Sequence, residues 1–364
     1  MNAPLRIALL SAAHVHAPSY ARALTYLPDA RLAVVWDDDA ARGAELARRH
    51  DVRFEGDLAA LLARPDLDAV IITAENVRHR PLCEAACAAG KHVLCEKPLA
   101  TDAASAVAMI GAAGAAGVVL ATAFPMRHNA PVRAVKEAIA RGDLGTIRAV
   151  RATNHGTLPP GWFLDPALSG GGAVMDHTVH VIDILRWYLE DEPVEVYAEI
   201  SHGLHGAPVE DAALLTITFA SGVVATLDPS WSRPPSFPTW GDVTMEIVGN
   251  QGVLQLDAFA QKLVYNGRRD ARTEWIDWGV DADIELLRDF VRAVRTGGRP
   301  AADGRDGERA LAVTLAAYAS ARNGQPVAIA PNGYPRIGQE PAMDHLRGRD
   351  ATVYLSTGPW REAR

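Results

Sequence analysis

The chain has 364 residues, 49% of them hydrophobic and 22% charged. At roughly 150 residues per domain, that length predicts two to three domains with an ample core, needing neither disulfides nor a structural metal. A formal net charge of −8 argues against nucleic acid or an anionic membrane as a partner.

Along the first 124 residues, short apolar runs alternate with helical patterns. The strand candidates are Arg6 to Leu10, Leu32 to Trp36, Ala69 to Thr73, His92 to Cys95 and Val118 to Ala123. Stretches such as Ala40 to His50 and Arg80 to Ala89 read as the intervening helices. Continuous apolar strands separated by helices predict a doubly wound parallel sheet covered on both faces. Ala106 to Phe124 carries no charge and approaches a membrane span in length. Its glycines at 111, 114 and 117 make it a buried helix, a turn and a buried strand instead.

After about residue 145 the strands alternate apolar and polar residues. Leu214 to Phe219 and Val223 to Leu227, joined by Ala220-Ser221-Gly222, read as a hairpin; so do Met245 to Val248 and Val253 to Leu256. Thr146 to Thr153 and Val194 to Ile200 add further strands. The expected fold is α/β: a Rossmann domain over 1–124, then an α+β domain over 125–334 with a large, open, mostly antiparallel sheet. That sheet is expected to be covered on one face by helices over 130–141, 172–189, 284–295 and 308–322. Arg233 to Pro238 reads as a surface loop, and 335–364 as a polar, Gly-rich C-terminal tail.

Only three cysteines, Cys83, Cys87 and Cys95, are present, which suits a reducing compartment rather than a disulfide framework. With no leader pattern before Ile7, a cytoplasmic protein without a membrane segment is expected.

A dinucleotide site places glycines after the first strand, where backbone approaches a pyrophosphate at a helix N-terminus. The segment here is Ser11-Ala12-Ala13-His14-Val15-His16, with no glycine. Its position is right, since a helix begins near Pro18. An acidic residue at the end of the second strand is the other cue, because a carboxylate there holds the adenosine ribose diol and repels the 2′-phosphate of NADP. Asp37 falls 21 positions after His16, directly after that strand, and so favours NAD. Read by itself, Asp37-Asp38-Asp39 is equally a turn and helix cap.

The stretch Gly90 to Leu99 carries the triplet Glu96-Lys97-Pro98. With Asp68 to Thr73, Asn76 to His79, and Gly170-Gly171-Gly172 followed by Asp176 and His180, it resembles the Gfo/Idh/MocA family of NAD(P)-dependent oxidoreductases over roughly Arg6 to Ala330. The glycine-free first loop departs from the family pattern. The resemblance implies a Rossmann domain followed by an α/β domain whose open sheet forms the oligomer interface. It also implies a cis Lys97–Pro98 bond, and a lysine, an aspartate and a histidine converging on the reacting carbon. The expected cofactor contacts are Ser11, Ala12, Ala13, His14, Val15, Asp37, Thr73, Ala74, Asn76, His79, Glu96, Lys97, Arg127 and Trp162.

Oxidising a secondary alcohol needs a base for the hydroxyl proton and a cation to stabilise the developing alkoxide. Asp176, His180 and Asp183 stand at i, i+4 and i+7 of an otherwise apolar helix with Val174, Val181, Ile184 and Leu185. The catalytic candidates are Lys97, Asp176 and His180. His180 is favoured as general acid/base because free imidazole titrates near neutrality. Lys97 lowers the substrate hydroxyl's pKa or acts as the base itself, and Asp176 orients its neighbours. Arg127, His155, Trp162 and His177 are further candidates for the substrate, Trp162 by stacking.

Twelve histidines require a metal to be weighed. The pairs 14/16, 177/180 and 202/205 carry no carboxylate or cysteine at recognised ligand spacing, so no metal is expected. These features predict an NAD-dependent sugar or polyol dehydrogenase or reductase, acting on a small hydroxylated molecule as a homodimer or homotetramer. One alternative is an NAD-dependent hydrolase or lyase using transient ring oxidation, separable by solvent deuterium incorporation without net NADH. Another is a non-catalytic NAD sensor, which the retained Lys97, Asp176 and His180 disfavour.

Overall fold

The computed structural model describes residues 3–266 and 273–330. Six strands form the first sheet: β1 (Leu5–Leu10), β2 (Ala30–Trp36), β3 (Arg53–Glu55), β4 (Ala69–Ile72), β5 (His92–Cys95) and β6 (Leu120–Thr122). All are parallel, in the order β3-β2-β1-β4-β5-β6. This doubly wound order follows from the apolar strand runs, which demand cover on both faces. The cover comes from α1 (Ala17–Leu24), α2 (Ala40–Arg49), α3 (Leu58–Leu62), α4 (His79–Ala88) and α5 (Ala103–Ala116). Asp39, Asp57 and Asp102 cap the N-termini of α2, α3 and α5 through their carboxylates. Gly117, at φ 66°, ends α5 in the left-handed region before the chain enters β6. Among the described residues, no helix is long and apolar enough to cross a membrane.

The second body contains α6 (Ala130–Ala140), β7 (Ile147–Gly156), the short α7 (Pro166–Ser169) and α8 (Ala173–Leu189). Then come β8 (Pro193–Ser201), β9 (Ala212–Phe219), β10 (Val224–Asp228), β11 (Gly241–Gly249) and β12 (Val253–Asp257). The β13 (Lys262–Asn266) and β14 (Thr273–Asp277) strands pair only with each other. Two helices, α9 (Ala282–Thr296) and α10 (Gly304–Asn323), and the edge strand β15 (Val327–Ala328) complete the described chain. The large sheet runs β12-β11-β7-β10-β9-β8-β15, antiparallel except where β7 meets β10. Both expected hairpins, β9–β10 and β11–β12, are present. The stretch 233–238 forms neither helix nor strand, and the expected tail over 335–364 lies outside the described residues.

One expected packing differs. The α9 helix does not cover the second sheet. Its apolar face of Leu286, Leu287, Phe290 and Val291 joins Ile7, Tyr20, Leu24, Ile71 and Leu94 in the core of the first sheet. The apolar stripe at i, i+1, i+4 and i+5 was visible in the sequence, but a stripe does not say which sheet it meets. Its return to the first body brings Asp281 and Asp283, at the start of α9, to the cleft between the two sheets. The α10 helix spans both bodies, with Leu311 in the first core and Ala310, Val313 and Ala316 in the second.

Candidate active site at the carboxyl ends of the first sheet

A cavity of about 580 Å³ opens where β1, β5 and β6 end. The first body contributes His14, Val15, His16 and Lys97, and the junction contributes Pro125 and Met126. Opposite stand Asn154 from β7, Asp176 and His180 from α8, Leu158 to Pro160 and Phe163 from the intervening loop, and Trp240 and Val243 at β11. The crevice outside the carboxyl ends of a parallel sheet is the ligand site of doubly wound folds, and this volume suits a small ligand with part of a cofactor.

Lys97 and Asp176 meet there. Lys97 Nζ lies 2.5 Å from Asp176 Oδ1 and 3.4 Å from the Asp176 carbonyl, and both side chains are buried. The other carboxylate oxygen receives the Trp231 indole N–H at 3.4 Å and lies 3.2 Å from His177 Nε2. Burial favours the acid form of Asp176, but the charges of Lys97 and His177 outweigh it and hold its pKa well below the usual carboxylate range. His180 sits one turn on with its Nδ1 lacking a protein partner. Burial, reinforced by the charge of Lys97, pushes its pKa well below the ordinary histidine value. It is therefore a neutral imidazole at physiological pH, not one titrating near neutrality as expected from sequence.

The helix carrying these groups is anchored at its glycine entrance. Gly172 N–H and Val174 N–H donate to Glu210 Oε1 at 2.7 and 3.2 Å, and the Tyr318 hydroxyl donates to the same oxygen at 2.5 Å. A Cβ on Gly172 would stand 1.9 Å from the Glu210 carbonyl oxygen, so only glycine fits. Glu210 had no sequence signal, because its partners lie 36 or more positions away.

Several expected contacts take other roles. Arg127 is buried away from the cavity: its guanidinium forms a two-pronged pair with Asp183 at 2.6 and 2.8 Å, stands 3.3 Å from Asp306 and donates to the Ala301 carbonyl. Asp183 shares a helix stripe with Asp176 and His180, yet it serves this pair rather than the cavity. His155 is clamped between Asp242 at 3.0 Å and Asp228 at 3.1 Å, outside the cavity lining. Burial lowers its pKa, but hydrogen bonds to the two carboxylates prevail and raise it to about 9. His177 faces inward, with Nδ1 2.8 Å from the Asn154 carbonyl, and so backs Asp176. Trp162 donates its indole N–H to the Ala13 carbonyl at 3.0 Å and stacks on Phe163 with ring centres 4.0 Å apart. Phe163, not Trp162, is the ring in the cavity wall.

On the nucleotide side, Ser11 adopts φ 72° and makes the turn a glycine would otherwise make. Thr73 Oγ1 donates to the Ser11 carbonyl at 2.5 Å. Asp37 is buried at the end of β2, where its carboxylate accepts Ala12 N–H at 2.7 Å and the Arg42 guanidinium at 2.6 and 2.8 Å. Asn76 bonds the Ser169 carbonyl through Nδ2, leaving Oδ1 without a protein partner. His79 is fully buried and lies 2.9 Å from the Pro98 carbonyl and 3.2 Å from that of Ala74, so it braces the loop instead of facing a ligand. The Lys97–Pro98 bond is cis.

Glu96 accepts the Lys97 N–H at 3.0 Å, and its Oε1 lies 2.8 Å from His16 Nδ1 and 3.7 Å from His14 Nδ1. Sequence spacing had given the 14/16 pair no carboxylate; the fold supplies one from 80 positions away. Ligand atoms of His14, His16 and Glu96 lie within 4.8 Å of one another, a cluster of metal-ligand type that the sequence reading did not anticipate.

Comparison with known proteins agrees with this geometry. Residues 6–124 match the oxidoreductase family, NAD-binding Rossmann fold, and residues 132–255 match the GFO/IDH/MocA C-terminal domain. The chain is 36% identical over 302 residues to 1,5-anhydro-D-fructose reductase of Ensifer adhaerens, covering 80% of this chain and 88% of that one. It is 29% identical to myo-inositol 2-dehydrogenase of Thermotoga maritima, covering 83% and 92%. The crystal structure of GenD2 from gentamicin A biosynthesis, in complex with NAD, superposes with a TM-score of 0.83 at 26% identity, covering 91% and 97%. The chain belongs to the Gfo/Idh/MocA family of oxidoreductases, with an NAD-binding Rossmann fold as its first body.

Proposed function

We propose that the protein is an NAD-dependent dehydrogenase or reductase acting on a secondary hydroxyl or ketone of a cyclic polyol, sugar or sugar derivative. The observation that carries this reading is the buried Lys97–Asp176 pair beside a neutral His180 in the wall of the interdomain cavity. The residues fit the cofactor: the cavity adjoins the β1–α1 loop, and the buried His14 Nε2 in its wall has no partner among the described residues. Ser11 to Val15, Asp37 and Thr73 would hold the nucleotide, and when bound it supplies the hydride acceptor or donor. Asp37 favours NAD over NADP by charge.

The protein's own groups then handle binding and the proton. Lys97 Nζ has three N–H donors, two directed at Asp176, and the third points a cation at the substrate oxygen, where it stabilises an alkoxide. His180, in the cavity wall with its Nδ1 unpartnered among the described residues, takes the hydroxyl proton in the oxidising direction. Asp176 fixes Lys97 and is itself fixed by Trp231 and His177. Asn154 Oδ1, buried at the cavity wall without a partner, accepts from a second substrate hydroxyl. Leu158, Pro159, Pro160, Val243 and Phe259 exclude water around the reacting carbon.

This reading also takes the protein to be cytoplasmic and a homodimer or homotetramer through the outer face of the seven-stranded sheet, where Leu214, Val224 and Val253 are exposed. The names of the reductase and the inositol dehydrogenase above support the substrate class. A panel of inositols, aldoses and anhydro-sugars, followed by NADH absorbance in both directions, tests the reading. Stoichiometric NADH formation with one of them is expected. Product formation without net NADH, with solvent deuterium entering a ring carbon, would replace it by transient-oxidation chemistry.

A further inference from the structure

The loop between β1 and α1 poses a chemical problem. In glycine-rich loops, backbone N–H groups reach the pyrophosphate. Here most of them are engaged within the protein. Ser11 N–H donates to the Trp36 carbonyl at 2.7 Å, Ala12 N–H to Asp37 Oδ2 at 2.7 Å, Ala13 N–H to Ser11 Oγ at 3.2 Å and His14 N–H to the Thr73 carbonyl at 2.9 Å. Ala17 N–H bonds the His14 carbonyl, and Pro18 at the start of α1 has no N–H at all. The turn is made without glycine, but its backbone donors are turned inward.

Two side-chain donors stand at the same place. His14 Nδ1 accepts the backbone N–H of His16 at 3.2 Å, so the neutral ring carries its proton on Nε2. That Nε2–H is buried with no partner among the described residues, and the ring lines the cavity. An orphaned buried donor is costly, and a ligand acceptor entering the cavity removes the cost. Burial holds the pKa of this ring at about 3, so the ring is neutral across physiological pH. His16, the N-cap residue of α1, lines the same cavity and is one-third exposed. Its Nδ1 donates to Glu96 Oε1 at 2.8 Å, and although burial lowers its pKa, the Glu96 carboxylate raises it above the ordinary value and so favours a second proton on Nε2. The carboxylate–imidazole pair thereby fixes a ring in the cavity wall at the N-cap of α1, where the macrodipole favours an anion.

We propose that His14 and His16 donate to the pyrophosphate and adjoining ribose of the dinucleotide, in place of the backbone N–H groups of a glycine loop, with Glu96 as the positioning residue. The inference rests on the NAD-binding reading above and concerns how this chain achieves it. Metal binding by His14, His16 and Glu96 is the competing use of these side chains; through His14 Nδ1 it would displace the His16 N–H that this atom now accepts.

The test is calorimetric titration of nucleotide-free protein with NAD⁺, ADP-ribose and adenosine, for the native chain and for His14→Ala, His16→Ala and His16→Gln. Each alanine variant is expected to weaken NAD⁺ and ADP-ribose at least tenfold and to change adenosine less than twofold. His16→Gln, which keeps a neutral donor, should recover part of the loss. In native protein carrying ¹⁵N-histidine, the Nε2 resonances of both residues should shift on adding ADP-ribose and stay in place on adding adenosine; this readout needs no variant to fold. Unchanged ADP-ribose affinity in both alanine variants, or equal weakening of adenosine, overturns the proposal while leaving the NAD reading intact. A native protein that binds none of the three overturns both. Zinc chloride is titrated alongside: stoichiometric Zn²⁺ uptake, lost in His14→Ala and blocking ADP-ribose, assigns the pair to a metal and overturns the proposal.

Discussion

Lys97 Nζ and Asp176 Oδ1 stand 2.5 Å apart, joining the end of β5 in one body to the first turns of α8 in the other. A buried pair of this kind contributes little net stability, because desolvation opposes the Coulomb gain. Its value here is placement: a cation is fixed at the cavity wall beside a neutral imidazole. Lys97→Met is therefore expected to retain NAD⁺ affinity within a few-fold and to lose about 10²–10⁴ in kcat on any substrate the native protein turns over. Calorimetry and NADH absorbance on the same preparation check both halves. Near-native turnover would remove Lys97 from the chemistry.

A second prediction concerns Arg127 and Asp183. Their buried, two-pronged pair lies behind the cavity, with Asp306 close by. Arg127→Met strands the Asp183 carboxylate in the core, and such losses typically cost about 3–5 kcal/mol. The double variant Arg127→Met/Asp183→Leu removes both charges and should recover much of that stability. Urea unfolding of the native chain, both single variants and the double variant measures the coupling. A single variant of native stability would show that neither partner is stranded when the other is removed.

The entrance to α8 gives a third. Gly172→Ala places a methyl group against the Glu210 carbonyl, which belongs to backbone and cannot swing aside. Overpacking of this sort costs about 1–3 kcal/mol. Because α8 carries Asp176 and His180, the variant should lower both Tm and kcat, with NAD⁺ affinity preserved on the other body. A lowered Tm with unchanged kcat would mean that α8 is held by its packing and not by Glu210.

Much of this was legible in the sequence, and the rest fails for identifiable reasons. The five long apolar runs of the first body and the two hairpins of the second carry their own periodicity, so they read correctly. The β3 and β15 strands have three and two residues and each forms one edge of its sheet, too short to show any period. Asp176 and His180 were visible because an i, i+4 polar pair interrupts an apolar helix. Arg127, His155 and His79 have the right residue types but face carboxylates or carbonyls that the chain brings in from 5 to 174 positions away. Glu96 was read through its neighbours in the triplet, while its pairing with His16 depends on the β1–β4–β5 register, which no local pattern encodes.

His155 makes stability depend on pH in a specific window. Its folded pKa is raised to about 9, above the free value of 6.5, by Asp228 and Asp242, with Arg233 and its pair to Asp242 as the opposing cation nearby. A raised folded pKa means the protonated form favours the folded state. That contribution is complete below pH 6.5 and fades as pH rises through about 9. Against His155→Gln, the native chain should therefore show an additional fall in urea midpoint between pH 6.5 and 9.5. Parallel midpoint curves for the two proteins would show that His155 is neutral in its carboxylate clamp.

The proposed preference for NAD over NADP rests on Asp37 and Arg42. The carboxylate is buried and accepts Ala12 N–H, Asp39 N–H and the guanidinium, which also reaches Asp38, Glu75 and Ser11 Oγ. On that proposal Asp37 supplies the charge that repels a 2′-phosphate, while its pair with Arg42 holds the guanidinium back from attracting one. Asp37→Ser removes the repulsion and frees the guanidinium together. NADP⁺ affinity should rise, and NAD⁺ affinity should fall as the ribose loses a carboxylate acceptor, moving the NAD⁺/NADP⁺ ratio by about 10²-fold for two charge-assisted contacts of the usual strength. Arg42→Ala in the same background should reverse the NADP⁺ gain and leave the NAD⁺ loss in place. If Asp37→Ser weakens both nucleotides equally, the carboxylate acts by holding the Ala12 turn in shape, and selectivity lies elsewhere in the pocket.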